Sequence, residues 1–160
     1  MNNMNIRKTT GYDLEWIRNF FIKNWGGDFI ISRGKIHKPE NLEGFIAEGD
    51  GERVGLVTIN VENDELEMVS IDSLKPNKGI GGMLVKEVII FAKDKNLKRV
   101  WLITANDNLN ALKFYQKKGF HLVKIYPNAI GESRKIKPQI PEIGENGIPL
   151  RDEIELEIIL

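Results

Sequence analysis

Cysteine is absent from this 160-residue chain, which excludes disulfides, thiolate metal sites and a cysteine nucleophile. Histidine is scarce. His37 and His121 are the only two, and they share no ligand-type spacing, so no metal is expected. Net charge is missing as well, because 23 basic and 23 acidic side chains cancel. A balanced chain exerts no global pull on nucleic acid or an anionic membrane. Neither is an expected partner, and any anion site has to be built locally. No apolar run approaches the roughly 20 residues that span a bilayer. Met1 to Thr10 is polar and lacks the apolar core of a signal peptide. The simplest reading is a cytoplasmic protein with a single domain over residues 1–160. The hydrophobic fraction of 41% and charged fraction of 29% are ordinary for a globular chain.

Against those absences stands a clear succession of elements. Asn5 to Thr9 reads as a short strand, and Thr10 as an N-cap with Asp13 in the first helical turn. Leu14, Ile17 and Phe21 share one helical face, and the Gly26-Gly27 pair should end that helix. In the next stretch, Ile30 and Ile31 fit a short strand or a helical turn, and Pro39 argues against any long helix. Phe45 to Glu48 and Val54 to Val61 flank Gly49-Asp50-Gly51 as a hairpin, and Glu65 to Asp72 is a third strand. Alternation would put Glu65, Glu67, Val69 and Ile71 on one face. A helix carrying Leu84, Val88 and Ala92 follows, then a strand from Arg99 to Thr104. Asp107 or Asn108 caps another helix, which ends at Gly119, and strands follow at His121 to Tyr126 and Ile154 to Ile159. The order predicts an α/β fold: a mixed, mostly antiparallel sheet flanked by helices, with a right-handed parallel β-α-β crossover.

Between Pro127 and Arg151 runs a long connection punctuated by four prolines and three glycines. A connection this long in a compact domain is functional or disordered. Its interleaved Ile136, Ile140, Ile143 and Ile148 predict docking on the body. Its role is open between an acceptor-site wall and a dimer arm or plain surface cover.

The segment Lys78-Gly79-Ile80-Gly81-Gly82-Met83 joins a strand to a helix. Glycine lets a ligand approach backbone amides, and the helix start supplies unsatisfied N–H groups and a positive dipole end. That is a phosphate or pyrophosphate site in outline, or else a plain connector. A dinucleotide turn would need a third small residue where this chain has Leu84. A P-loop is excluded because Gly34-Lys35 is followed by Ile36.

A second motif sharpens the first. Asn108, Ala111, Tyr115, Gly119 and Phe120 are spaced N-x-x-A-x-x-x-Y-x-x-x-G-F. With the glycine turn one helix and one strand upstream, Gly44 to Tyr126 resembles the GNAT N-acetyltransferase superfamily. The tail resembles that of a bacterial branch whose acceptor is unidentified. The family turn has the form R/Q-x-x-G-x-G/A. Counting back from Gly79, its Arg or Gln falls on Pro76, and the Gly usual at the next position falls on Asn77. Pro76 offers neither a side-chain donor nor an amide N–H, so one phosphate contact is lost. Lys75 or Lys78 supplies charge nearby.

The resemblance implies acetyl-CoA as donor, CoA as product, and a primary amine of a small molecule or peptide as acceptor, attacking directly in a ternary complex. It places the pyrophosphate on the amides of Lys78, Gly79, Ile80, Gly81, Gly82 and Met83. The pantetheine would pair with backbone at Ile71, Asp72 and Ser73, and Asn108 would bond that arm, unless Asn108 is only a helix cap. Tyr115 matches the family tyrosine near the CoA sulfur, suited to protonate the leaving thiolate. Glu67 and Glu65 are the candidate general bases, each with the plain alternative of a solvent-facing strand carboxylate.

Ser32, Arg33 and His37 lie where the superfamily builds acceptor pockets, and Arg134, Lys135 and Lys137 lie in the long connection. These basic groups point to an acidic or carboxylate-bearing acceptor, or to a solvated surface. Trp25 and Trp101 read as packing residues. Homodimers are common among relatives, and one stays open here. Two other readings compete with the enzyme: a CoA-binding module without catalysis, hinted at by Pro76, and an interaction protein on the same fold.

Overall fold

The structure is a computed structural model that describes residues 4–160. Strand β1 (Met4–Lys8) leads through a tight turn into helix α1 (Leu14–Trp25). At that turn the Thr10 N–H donates to Asp13 Oδ2 at 2.9 Å, as the capping pattern predicts. Arg7 closes on both Asp13 oxygens at 2.8 Å, and Arg53 adds bonds at 3.1 and 3.2 Å. The buried Asp13 carboxyl is therefore held well below its ordinary range, chiefly by Arg7. Gly26, with φ of 75°, ends α1 in the left-handed conformation.

The stretch left open between strand and helical turn is a hairpin. Strand β2 (Ile30–Ser32) pairs with β3 (Lys35–His37). Then come β4 (Glu43–Gly49), β5 (Glu52–Glu62) and β6 (Glu65–Ser73), followed by helix α2 (Ile80–Asp94) and β7 (Arg99–Ala105). Helix α3 (Leu109–Lys117), β8 (His121–Tyr126), helix α4 (Ala129–Ile136) and β9 (Glu153–Ile159) complete the chain. The main sheet runs β1-β4-β5-β6-β7-β9-β8, with β6 and β7 as its parallel pair and its other neighbours antiparallel.

Each face of this sheet has its own core. On one, α2 seats Ile80, Leu84 and Val88 against Phe45, Val57, Leu66 and Leu102, with α3 beside it. On the other, Phe20 and Phe21 of α1 and Ile30 of the hairpin cover Ile46, Leu56 and Val69. A side chain at Gly55 would meet Ile80 at 2.5 Å, so glycine there lets the first residue of α2 sit directly on β5. Ile80 is 1% exposed, and its burial anchors the turn before it by about 2 kcal/mol.

Two expectations need correction. Residues Pro127 to Arg151 are not an element-free connection, since they contain α4, a short 3-10 turn at Glu145–Gly147 and a bridge between Ile143 and Pro149. Helix α4 spans only eight residues and contains Gly131, so its own propensity is weak. Contacts hold it instead. The Ile130 amide donates to Arg151 O, while Arg134 bonds the carbonyls of Ile140, Pro141 and Leu150. Strand β6 also departs from strict alternation. Ser70 pairs with Thr58 while Met68 pairs with Ile59, so Val69 is an inserted, bulged residue. Glu67 faces the β2–β3 hairpin and Val69 packs with the α1 core, whereas Ile71 packs with the α2 core.

Candidate active site

Strands β6 and β7 are paired only from Glu65–Arg99 to Met68–Leu102. Beyond that point they diverge, and the β6 backbone after the bulge has no strand partner on its β7 side. The divergence opens a cleft of about 440 Å³. Its walls are Met68 to Ser73 of β6, Ile103 to Ala105 of β7, Gly81 of α2, and Asn108, Phe114 and Tyr115 around α3. Trp25, Ser32, Ile130 and Glu153 close it from the other face of the sheet. Of the residues singled out in the sequence, Ile71, Asp72, Ser73, Gly81, Asn108, Tyr115 and Ser32 line this one cavity.

At one end lies the start of α2. The Met83 amide donates to Gly79 O at 3.1 Å, so that predicted contact is already used inside the helix. The amides of Ile80, Gly81 and Gly82 precede it and have no helical acceptor. Asn77 and Gly79 have φ of 62° and 72°. Asparagine is among the few side chains that tolerate this conformation, so the departure from the family glycine leaves the turn intact. Pro76 followed by a left-handed Asn77 fits the middle of a type II turn. Among the described residues neither Lys75 nor Lys78 makes an ion pair, so both charges are free beside the turn. A side chain at Gly81 would meet the Phe114 ring at 3.1 Å, which shows how closely α2 and α3 approach.

Asn108 is the cap of α3. Its Oδ1 accepts the Ala111 amide at 3.1 Å, and the residue lines the cleft. Tyr115 packs edge-on against Phe114 and Phe120 at 5.4 and 5.6 Å between centroids. Burial, then the charge of Asp72, pushes its phenol above the ordinary tyrosine range, so it is protonated at neutral pH.

The carboxylates separate into two groups. Glu65 lies at the closed end of β6, 3.1 Å from Arg99, which also binds Glu155 and Glu157. That ion-paired position is outside the cleft. Glu67 is 4% exposed and accepts the Ser32 hydroxyl at 2.5 Å, and burial raises it to about 7. It stands behind Ser32 and does not line the cavity itself.

Asp72 was expected to contribute only backbone. Its carboxyl is raised to about 6 by burial, with Trp25 opposing, and its enclosed Oδ2 has no hydrogen-bond partner among the described residues. Strict alternation would turn Asp72 toward α2, but the bulge at Val69 turns it to the cleft. No glycine or proline in β6 marks that bulge. Trp25 likewise proves to be a cleft residue.

The basic residues assigned to acceptor binding do not line the cleft. The Arg33 guanidinium stacks 3.3 Å from the Tyr126 ring centroid and reaches Glu153 at 3.7 Å. Arg134 is spent on backbone carbonyls, and Lys137 on those of Trp25 and Phe29 at 2.7 and 2.6 Å. The charged side chains lining the cleft are Asp72 and Glu153.

Comparison with known proteins agrees with this geometry. The family model described as "Acetyltransferase (GNAT) family" matches residues 12–120. The chain belongs to the GNAT acetyltransferase family. It is 39% identical to the uncharacterized protein YxbD of Bacillus subtilis over 154 residues, 96% of this chain and 97% of that one. It is 42% identical to the uncharacterized protein YdhI of the same organism over 139 residues, covering 86% and 87%. A GNAT family acetyltransferase from Elizabethkingia anophelis, solved with acetyl-CoA bound, superposes with a TM-score of 0.71 at 28% identity, covering 99% of each chain. The mixed sheet with its parallel β6–β7 pair is the GNAT fold. No metal-binding group of three or more His, Cys, Asp or Glu side chains occurs among the described residues, and no described helix is long and apolar enough to cross a membrane.

Proposed function

We propose that this GNAT protein transfers the acetyl group of acetyl-CoA to a primary amine of a small molecule or peptide, by direct attack in a ternary complex. One observation carries the reading. The gap between β6 and β7 joins the unpaired amides of α2 to the Tyr115 hydroxyl region in a single cleft. A pyrophosphate suits the amides of Ile80, Gly81 and Gly82, with Lys75 and Lys78 adding charge. The unpaired edge of Val69–Ser73 suits the pantetheine as an added strand, and the free NH₂ of Asn108 suits its amide carbonyls.

With the thioester there, the amine nitrogen forms the new C–N bond and the C–S bond breaks. The acceptor ammonium first loses one proton through the carboxylate side of the cleft; Tyr115 gives its proton to the departing thiolate and regains one from the second surplus proton of the nitrogen after attack. Glu67 is the base within reach of that side, and Glu65 is too far along β6 to share the role. Acetyl-CoA-dependent acetylation of a primary-amine panel, read by mass spectrometry, tests the reading. Acetylated product is expected. Its absence across the panel, with acetyl-CoA bound, favours a CoA-binding module instead. Tyr115→Phe should lower turnover about 100-fold if the phenol is the acid.

A further inference from the structure

Glu67 is the best-placed base, yet it is walled off from the cavity it should serve. Ser32 stands between, lining the cleft on one side and donating to Glu67 Oε2 at 2.5 Å on the other. Behind Glu67 is His37, whose Nε2 lies 3.5 Å from Oε1. His37 is 3% exposed, and Nε2 has no hydrogen-bond partner among the described residues. The β2–β3 hairpin explains the arrangement. Ile30 pairs with His37 and Ser32 with Lys35, so Ile30, Ser32 and His37 share the face laid against the sheet.

We propose that Ser32 carries the acceptor's proton from the cleft to Glu67, and that His37 is the positioning residue that receives the Glu67 carboxyl proton as a hydrogen bond. This rests on the acetyl-transfer reading above. An N–H bond of the acceptor ammonium breaks as an O–H bond forms on Ser32 Oγ, while the original Ser32 proton moves to Glu67 Oε2. The amine is left neutral, with its lone pair free to attack, and Glu67 becomes a carboxylic acid. A half-turn of the carboxyl then presents its proton to His37 Nε2, which gains the partner it lacks. Ser32 Oγ is free again to donate to the unprotonated oxygen. After product leaves, the proton returns to water by the same route.

The surroundings suit this exchange. Burial brings Glu67 to about 7, a value at which it both takes and releases a proton near neutrality. Burial also brings His37 to about 4, so it is a neutral acceptor rather than a cation. The other charged groups facing the pair are Lys35 on the hairpin, Glu62 on β5, and Glu153 and Glu155 on β9. Lys35 is bonded to Glu62 at 2.6 Å, Glu153 faces Arg33, and Glu155 is held by Arg99 and Tyr126. Each has a partner of its own outside the relay.

The test is a nuclear magnetic resonance titration of the full chain, following the Glu67 side-chain carboxyl carbon and the His37 ring nitrogens from pH 5 to 9. Expected is a Glu67 midpoint near 7, with the His37 Nε2 signal moving at the same midpoint while the ring stays neutral. Ser32→Ala removes a bond that favours the carboxylate, so the Glu67 midpoint should rise. In the same variant acetyl transfer to the amine panel should fall about 100-fold, the lower end for a lost proton-transfer group. Ser32→Thr, which restores the hydroxyl, should recover most of it. A Nε2 signal indifferent to Glu67, or native turnover in Ser32→Ala, overturns the relay. A native chain that binds acetyl-CoA but acetylates no amine counts against the transferase reading, and the titrations still decide whether the three groups are coupled.

Discussion

On the proposed function the cleft has a donor half and an acceptor half, and the two are built in different ways. The donor half, formed by β6, α2, β7 and α3, is consecutive in the chain, and its key groups recur at fixed spacing from Ile71 to Tyr115. The acceptor half is assembled from Trp25, Ser32, Asp72, Ile130 and Glu153, with Glu67 behind Ser32, and these come from five separate stretches. A half that grips one invariant group can be encoded locally. A half that meets a variable partner is composed by tertiary contacts, and those are what the linear sequence conceals.

The comparison implies that substitutions on one side should leave the other side's readout alone. The largest separation is expected for Tyr115→Phe, which should slow transfer about 100-fold with acetyl-CoA affinity unchanged in calorimetry. Glu67→Gln should act in the same way and also abolish the rise of rate with pH. The sign follows from the base needing to be ionised. Glu67 is raised to about 7, so turnover should increase as pH climbs through that value and fall away below it.

A smaller effect, on stability, should come from Asp13, which lies far from both halves and serves as the control. Asp13→Ala leaves Arg7 and Arg53 without their shared carboxylate and should cost about 3 kcal/mol in urea unfolding at pH 7. The folded carboxyl is depressed below its ordinary value of 3.8. Its stabilisation is therefore complete above that value and lost as pH falls through the folded pKa, so native and variant stabilities should converge in strong acid. The smallest effect is expected for Lys137→Met, which removes the two bonds tying the α4 segment to the carbonyls of Trp25 and Phe29. It should raise the acceptor KM several-fold, on the order of one lost charged hydrogen bond at most, with acetyl-CoA affinity unaltered.

How much was legible follows the same division. The glycine turn, the Asn108 cap and the Tyr115 spacing announce the donor half because each needs a particular residue at a particular backbone position. The succession of elements along the chain was largely readable from alternation and turn residues, whereas their order across the sheet was not. Asp72 was hidden because a bulge at Val69 has no signature residue, and one inserted position reverses every side chain after it. The contacts of Arg33 and Arg134 were not legible because charge in a sequence says nothing about whether a carboxylate, a ring or a carbonyl will occupy it. Helix α4 was missed because its stability comes from Arg134 and Ile130 meeting distant partners rather than from its own eight residues.

The central claim is that the amides at the start of α2 hold the acetyl-CoA phosphates while the acceptor half is separate. Gly82→Asp tests it most directly. A side chain there would meet only the flexible end of Lys118, and a carboxylate in the first turn favours the helix dipole, so the fold is kept. Yet its charge opposes a bound pyrophosphate. Calorimetric titration with acetyl-CoA should show micromolar binding by the native chain and by Glu67→Gln, and at least tenfold weaker binding by Gly82→Asp. Equal affinity in native and Gly82→Asp, or no binding by the folded native chain, would contradict the account.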